Sequence, residues 1–430
     1  MSSELLQQVR VLDPVSQRDQ VADILIVDGM INTIQNNIND CCTDTIVRDC
    51  HGMVLGPGLI DLYSYSGEPG YEERETLESL LKAASMGGFT RVAILPKTNP
   101  PLDNPGALAF FHQRLGYSSL SRGVDSERKS TSLYFWGALT MGVEGKQMTE
   151  LGELAKTDII GFTDGLPLDN LLFVRRVLEY IKPLNKPIAF WPCDRALVSN
   201  GVMREGGYST RLGLPGNPAY SETSALAALL EIVEMIGTPI HIMRVSTARS
   251  VELIRAAKER GVPITASTTW MHLLLETKAI SNYDPNLRLD PPLGNSQDRL
   301  GLIRGVKEGI IDAIAINHCP YTYEEKTVAF ADAPPGAIGL ELALPLLWQE
   351  LVETGELTAL ELWQALSTKP AHCLGQNPSI VQEGNPTELT LFSPQKNWTV
   401  EGKNLKSLSL NTPWLGSQLT GKVVKIFKST

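Results

Sequence analysis

From Pro57 onward the chain repeats one pattern: an amphipathic helical stretch, a break, then a short run of nearly continuous apolar residues. Glu75 to Met86 has helical apolar spacing and stops at Gly87-Gly88. Phe89-Thr90-Arg91-Val92-Ala93-Ile94-Leu95-Pro96 then reads as a buried strand. The order recurs as Ser224 to Ile236 before Pro239 to Val245, Val251 to Arg260 before Pro263 to Thr268, and Arg299 to Glu308 before Ile311 to Ile316. Strands that are apolar at almost every position must be covered on both faces. Helices alternating with parallel strands provide that cover. Sustained over roughly 320 residues, the pattern predicts an α/β fold, a (β/α)8 TIM-type barrel, with a doubly wound open sheet as the runner-up. No Gly-x-Gly-x-x-Gly opens a helix after the first strand, which counts against a dinucleotide fold.

Both ends of the chain depart from this rhythm. Ile24-Leu25-Ile26-Val27, the turn pair Asp28-Gly29 and Met30-Ile31-Asn32-Thr33-Ile34 predict a hairpin. Strand patterns return at Glu388 to Phe392 and Lys422 to Phe427. We therefore expect residues 1–55 and 381–430 to build one small composite β domain around a barrel of residues 56–380. The net charge of −10 and the lack of a dense Lys/Arg block argue against nucleic acid or an anionic membrane as partner. No window approaches the roughly 18 apolar residues of a membrane span. The first ten residues lack the basic-then-apolar order of a secretory signal. The six cysteines, Cys41, Cys42 and Cys50 among them, have irregular spacing and read as cytoplasmic free thiols.

A series of longer words runs in order through the chain. They include Pro57-Gly58-Leu59-Ile60-Asp61, Gly87-Gly88-Phe89-Thr90, Pro96-Lys97-Thr98-Asn99-Pro100, Arg211-Leu212-Gly213-Leu214-Pro215-Gly216, Val245-Ser246-Thr247-Ala248 and Pro334-Pro335-Gly336-Ala337-Ile338-Gly339. In these words the chain resembles the bacterial dihydroorotases of the amidohydrolase superfamily. The resemblance implies a barrel whose strand C-termini hold zinc, with metal-bound water of pKa about 7 opening a cyclic amide.

Position by position, the chemistry of that family is replaced. Its Asp-x-His-x-His is Asp61-Leu62-Tyr63-Ser64-Tyr65. Phenols of pKa ~10 are poor zinc ligands beside neutral imidazole. The family's Ser-Asp-Asp-Gly is Thr163-Asp164-Gly165, one residue shorter, with Asp164 as its carboxylate. Two further histidine positions hold Trp191 and Arg244, and the catalytic aspartate is Asn317, which cannot accept a proton as a base. The substrate-binding arginine is Gly67, a binding asparagine is Asp290, and the last histidine is Tyr321. Asn99 and Gly336 alone match the family's substrate-binding positions.

The resemblance, read with these replacements, implies no zinc and no catalytic residue. The expected protein is a non-catalytic, dihydroorotase-like oligomer of pyrimidine biosynthesis, homo- or hetero-oligomeric, with aspartate carbamoyltransferase as its partner. The alternative is an active cyclic-amide hydrolase, a dihydroorotase or a related amidohydrolase, with a remodelled site. Tyr63, Tyr65, Trp191 and Tyr321 are expected to fill the former site, and Arg244 to pair with Asp61, Asp164 or Asp290. His272 and His318 read as structural, and Cys193 and Cys319 as buried thiols.

Overall fold

The computed structural model describes residues 3–39, 42, 44–114 and 131–429. Eight parallel strands form the barrel: β1 (Leu59–Ser64), β2 (Phe89–Ile94), β3 (Ser132–Gly137), β4 (Gly161–Phe162), β5 (Ala189–Phe190), β6 (Ile240–Ile242), β7 (Ile264–Thr269) and β8 (Ala313–Ala315). A parallel bridge from Phe162 to Ile188 joins the first four strands to the last four. The seam between β8 and β1 is closed by the Ile316 amide on Asp61 Oδ1 at 2.8 Å and the Tyr65 amide on the His318 carbonyl at 2.8 Å. This is the barrel that the repeating apolar strands predict, and the open-sheet alternative falls with the closed seam.

The helices start where capping chemistry allows. Thr76 caps Leu77–Met86 in a reciprocal box with Ser79, Thr247 caps Ala248–Glu259 through the Ser250 amide, and Asn295 caps Ser296–Lys307 in a box with Asp298. Between helices and strands lies the main apolar core. Inside the barrel a second cluster gathers Ile60, Leu62, Tyr63, Leu95, Trp136, Trp191 and Met243. Trp136 donates to the Leu62 carbonyl at 2.9 Å, so its one polar atom is satisfied in that interior.

The ends of the chain share one sheet, ordered Gln418–Lys428, Glu388–Thr399, Val54–Pro57, Ser3–Asp13, Arg18–Val27 and Met30–Gln35, with Ile46–Asp49 beside Ser3–Asp13. The hairpin turn is Asp28-Gly29, with φ of 47° and 77°. Positive φ at both central residues suits the twist of the flanking strands, and glycine takes the second without strain. Cys42, Cys50, Cys193, Cys319 and Cys373 are free thiols, and Cys41 lies outside the described residues. Among the described residues no helix is long and apolar enough to cross a membrane.

Candidate functional site at the barrel mouth

The C-terminal ends of the barrel strands open into a cavity of about 420 Å³. Catalytic and binding groups of β/α barrels collect at this end. Tyr65, Gly67, Trp191, Arg244, Asp290, Asn317, Tyr321 and Gly336 all line it. Eight residues separated by up to 271 positions in sequence therefore meet at one mouth.

Arg244 is the centre of the arrangement. It follows β6 with φ of 55°, and Asn317 follows β8 with φ of 51°. Left-handed backbone at non-glycine residues costs free energy and concentrates at functional sites. The Arg244 side chain is 3% exposed. Its Nη2 donates to Tyr65 Oη and to Asn317 Oδ1, both at 3.0 Å. The guanidinium carbon lies 4.7 Å from the Trp191 ring centre and 5.7 Å from those of Tyr63 and Tyr65. Such cation–π contacts hold a cation through the ring faces. Beneath it Tyr63 accepts from the Arg244 amide at 3.1 Å and shares a 2.9 Å bond with Ser267. Burial pushes the Tyr63 phenol up to about 12, so it stays protonated at neutral pH.

The carboxylates have separate duties. Asp61 is fully buried and accepts from Ile316 and Ser64 at the barrel seam. Asp164 accepts from the Leu139 and Thr140 amides at 2.8 and 3.0 Å and from Thr140 Oγ1 at 2.6 Å. Neither lines the cavity. The expected partnership of Arg244 with Asp61 or Asp164 is thus replaced by Tyr65 and Asn317, because both carboxylates are already engaged by backbone donors. Asp290 does line the cavity. Burial raises its carboxyl, while Arg288 foremost, then Arg244, Arg204 and Arg195, pull it down. Its carboxyl thus faces several cations.

Two further expectations change. Tyr65, Trp191 and Tyr321 wall the mouth without filling it, since the cavity remains, and Tyr63 lies beneath it in the barrel interior. Asn99 is exposed, packs on Gly70 and is not among the lining residues, whereas Gly336 is. Gly67 sits where a Cβ would lie 2.4 Å from the Glu75 carbonyl and 2.5 Å from that of Tyr71. Local backbone therefore leaves no room for a side chain at position 67.

Sequence reasoning missed Arg74, Lys97 and Glu325, which also line the mouth. Arg74 pairs with Glu325 through two nitrogens, one at 3.0 Å, across 251 positions of sequence. Lys97 stands three residues past the end of β2 at Ile94, and a polar residue just beyond a strand C-terminus was the available signal. His318 bridges the Gly339 amide at 3.2 Å and Glu75 at 3.3 Å. His272 shares a 2.6 Å bond with Thr269, and burial brings it down to about 4.

Zinc is the metal that the fold family implies, and the mouth gives it a poor donor set. A guanidinium stands between a protonated phenol and a carboxamide, and like charge would oppose a dication there. Among the described residues no group of three His, Cys, Asp or Glu side chains could hold a metal ion.

A closed parallel barrel carrying a polar mouth and a sheet made from both chain ends defines an amidohydrolase-type architecture. Within that class the chain belongs to the dihydroorotase-like family. The family model described as dihydro-orotase-like matches residues 52–250. A probable dihydroorotase-like protein of Synechocystis is 45% identical, with 99% of each chain covered. A dihydroorotase of Syntrophus aciditrophicus is 37% identical over 98% of this chain and 96% of its own. The fold is shared with L-hydantoinase (dihydropyrimidinase) of Arthrobacter aurescens at a TM-score of 0.85 and 21% identity, covering 100% of this chain and 95% of that one.

Proposed function

We propose that this chain is a dihydroorotase-family barrel that no longer hydrolyses a cyclic amide and acts as a non-catalytic structural or regulatory subunit. The observation that carries this reading is Arg244, a permanent cation held by Tyr65 and Asn317 at 3.0 Å in the middle of the mouth. A hydrolytic site of the family type needs ligands for a metal and a base for water. Here the corresponding side chains are phenols, an indole, a guanidinium and a carboxamide, and none takes a proton near pH 7. The family resemblance suggests aspartate carbamoyltransferase as the partner.

An active cyclic-amide hydrolase with a remodelled site is the second reading. It is favoured by relatives that carry the name dihydroorotase at 34–37% identity along nearly the whole chain. The two readings separate in one assay. Purified protein, with and without added zinc, is given carbamoyl aspartate and dihydroorotate in turn. No turnover above buffer is expected, and Tyr63→His/Tyr65→His is expected to restore none because Trp191, Arg244 and Asn317 remain. Turnover at about 1 s⁻¹ or more, an ordinary enzyme rate, would establish the second reading instead. For the partner, co-elution with aspartate carbamoyltransferase at micromolar concentration is expected, and separate elution would remove that part of the proposal.

A further inference from the structure

The opposite end of the barrel carries a second cavity, of about 540 Å³, a size that suits a small molecule. It lies among the N-terminal ends of β5, β6 and β7, with the helix Thr368–Cys373 along one side. Each strand entrance contributes a proline followed by an isoleucine: Pro187-Ile188, Pro239-Ile240 and Pro263-Ile264. Proline brings no backbone donor. The carbonyls of Pro187, Ile188 and Pro263 already accept from the Phe162, His241 and Ile240 amides at 2.8, 2.8 and 3.1 Å. The walls are therefore apolar in backbone as well as side chain.

The inner polar groups are answered within the protein. His241 shares bonds with Thr265 Oγ1 at 2.9 Å and Ser267 Oγ at 2.8 Å, and burial brings it down to about 3, so it is neutral. Thr238 Oγ1 donates to the Leu178 carbonyl at 2.9 Å. Burial pushes the Cys373 thiol up to about 12, and it stays protonated. Asp312, the carboxylate nearest in effect to that thiol, lies outside the lining and accepts from Lys258 at 2.7 Å and the Ala266 amide at 2.8 Å.

Charge enters only at the rim. Lys182 Nζ donates to the Ile236 carbonyl and Lys186 Nζ to the Ile159 carbonyl, both at 2.7 Å. An ammonium carries three donors, so each lysine keeps two. Among the described residues neither has a carboxylate oxygen within 4.0 Å, and no carboxylate lines the cavity. An apolar cleft with two cations at its edge and no anion complements a molecule that is apolar along its body and negative at one end.

We propose that this cavity binds an amphiphilic monocarboxylate of the fatty-acid type, its chain between the three proline–isoleucine pairs and its carboxylate at Lys182 and Lys186. The lysines then supply charge-assisted hydrogen bonds, and the chain leaves water without stranding a polar group of the wall. The two cavities share no lining residue, so the site stands whether or not the mouth hydrolyses a cyclic amide.

Octanoate and 1-octanol, one chain with and without the charge, are suitable probes for ligand-observed NMR titration of the full chain. Octanoate is expected to bind with a Kd below about 1 mM, and octanol about fivefold or more weaker. Lys182→Ala/Lys186→Ala, at positions that each lose one bond to a carbonyl, should bring octanoate to the level of octanol. Equal binding of acid and alcohol by the unaltered protein, or no octanoate binding at about 10 mM, tenfold above that Kd, overturns the proposal without reference to any variant. An octanoate preference that survives the double substitution assigns the acid to another place, the mouth included, and overturns it equally.

Discussion

Replacing Glu222 by alanine is expected to destabilise the chain by about 4 kcal/mol, because the carboxylate is buried and accepts six hydrogen bonds from five donors. Glu222 stands in the first turn of the helix Tyr220–Ile236. It accepts from the Ser246 amide at 3.1 and 3.2 Å, the Thr247 amide at 3.2 Å, Thr247 Oγ1 at 3.1 Å and Ser250 Oγ at 2.6 Å, and also from Ser246 Oγ. The hydroxyls can turn to other acceptors, but the two amides are fixed by the backbone. Each buried donor left alone costs about 1–3 kcal/mol. The same carboxylate lies at the N-terminus of Ala248–Glu259, where negative charge adds roughly 1 kcal/mol. Glu222→Gln keeps one acceptor oxygen and loses the charge, so about half the cost is expected. Urea denaturation of both variants measures this. A Glu222→Ala protein within 1 kcal/mol of the parent, an error-sized change, would show that the network carries no net stability.

This network explains why Val245-Ser246-Thr247-Ala248 is so clearly family-like in a chain whose chemical residues differ. The word holds a barrel helix in place and has no need of zinc. The fold was legible for the same kind of reason. Continuous apolar strands and helical periodicity are local patterns, and the closed barrel follows from them. Boundaries were less legible where first turns are polar. The sequence reading starts one helix at Ser224, whereas the helix begins at Tyr220, because Ser221 and Glu222 serve buried polar contacts and break the apolar rhythm. Strand β6 ends at Ile242, short of the apolar run through Val245, because Arg244 turns to positive φ.

At the mouth, family words gave the positions of Tyr65, Trp191, Arg244, Asn317 and Tyr321, and all five line one cavity. What Arg244 bonds to was not legible. Asp61 and Asp164 were equally plausible partners until the amides of Ile316, Leu139 and Thr140 were seen to occupy them. Asn99 matched the family in type yet lies exposed. Residue type travels with the sequence, whereas the direction of a side chain depends on loops that close only in the folded barrel.

Asp61 is the remnant of the family's metal motif, and its replacement by alanine is expected to cost about 3 kcal/mol at pH 6. The loss arises because the Ile316 amide and Ser64 hydroxyl, at 2.8 and 2.5 Å from its oxygens, lose their acceptor at the barrel seam. Its charge gives a second, distinguishing effect. Burial pushes the carboxyl up to about 7, against the hydrogen bonds of Ser64, Ile316, Tyr63 and Asn317. An unfolded aspartate titrates near 3.9. The folded state therefore binds this proton more tightly than the unfolded state. The associated stability is fully present below about pH 4 and declines progressively as pH rises through about 7. Between pH 6 and pH 8 the parent protein should lose about 1 kcal/mol through this group. Glu341, which burial pushes up to about 7 as well, adds a parallel loss. Asp61→Asn cannot titrate, so its stability should fall less steeply over the same range, with the Glu341 contribution remaining. Urea midpoints at pH 6, 7 and 8 give the two slopes. Equal slopes in parent and Asp61→Asn would mean that Asp61 is ionised throughout, held as a carboxylate by the four donors at the seam.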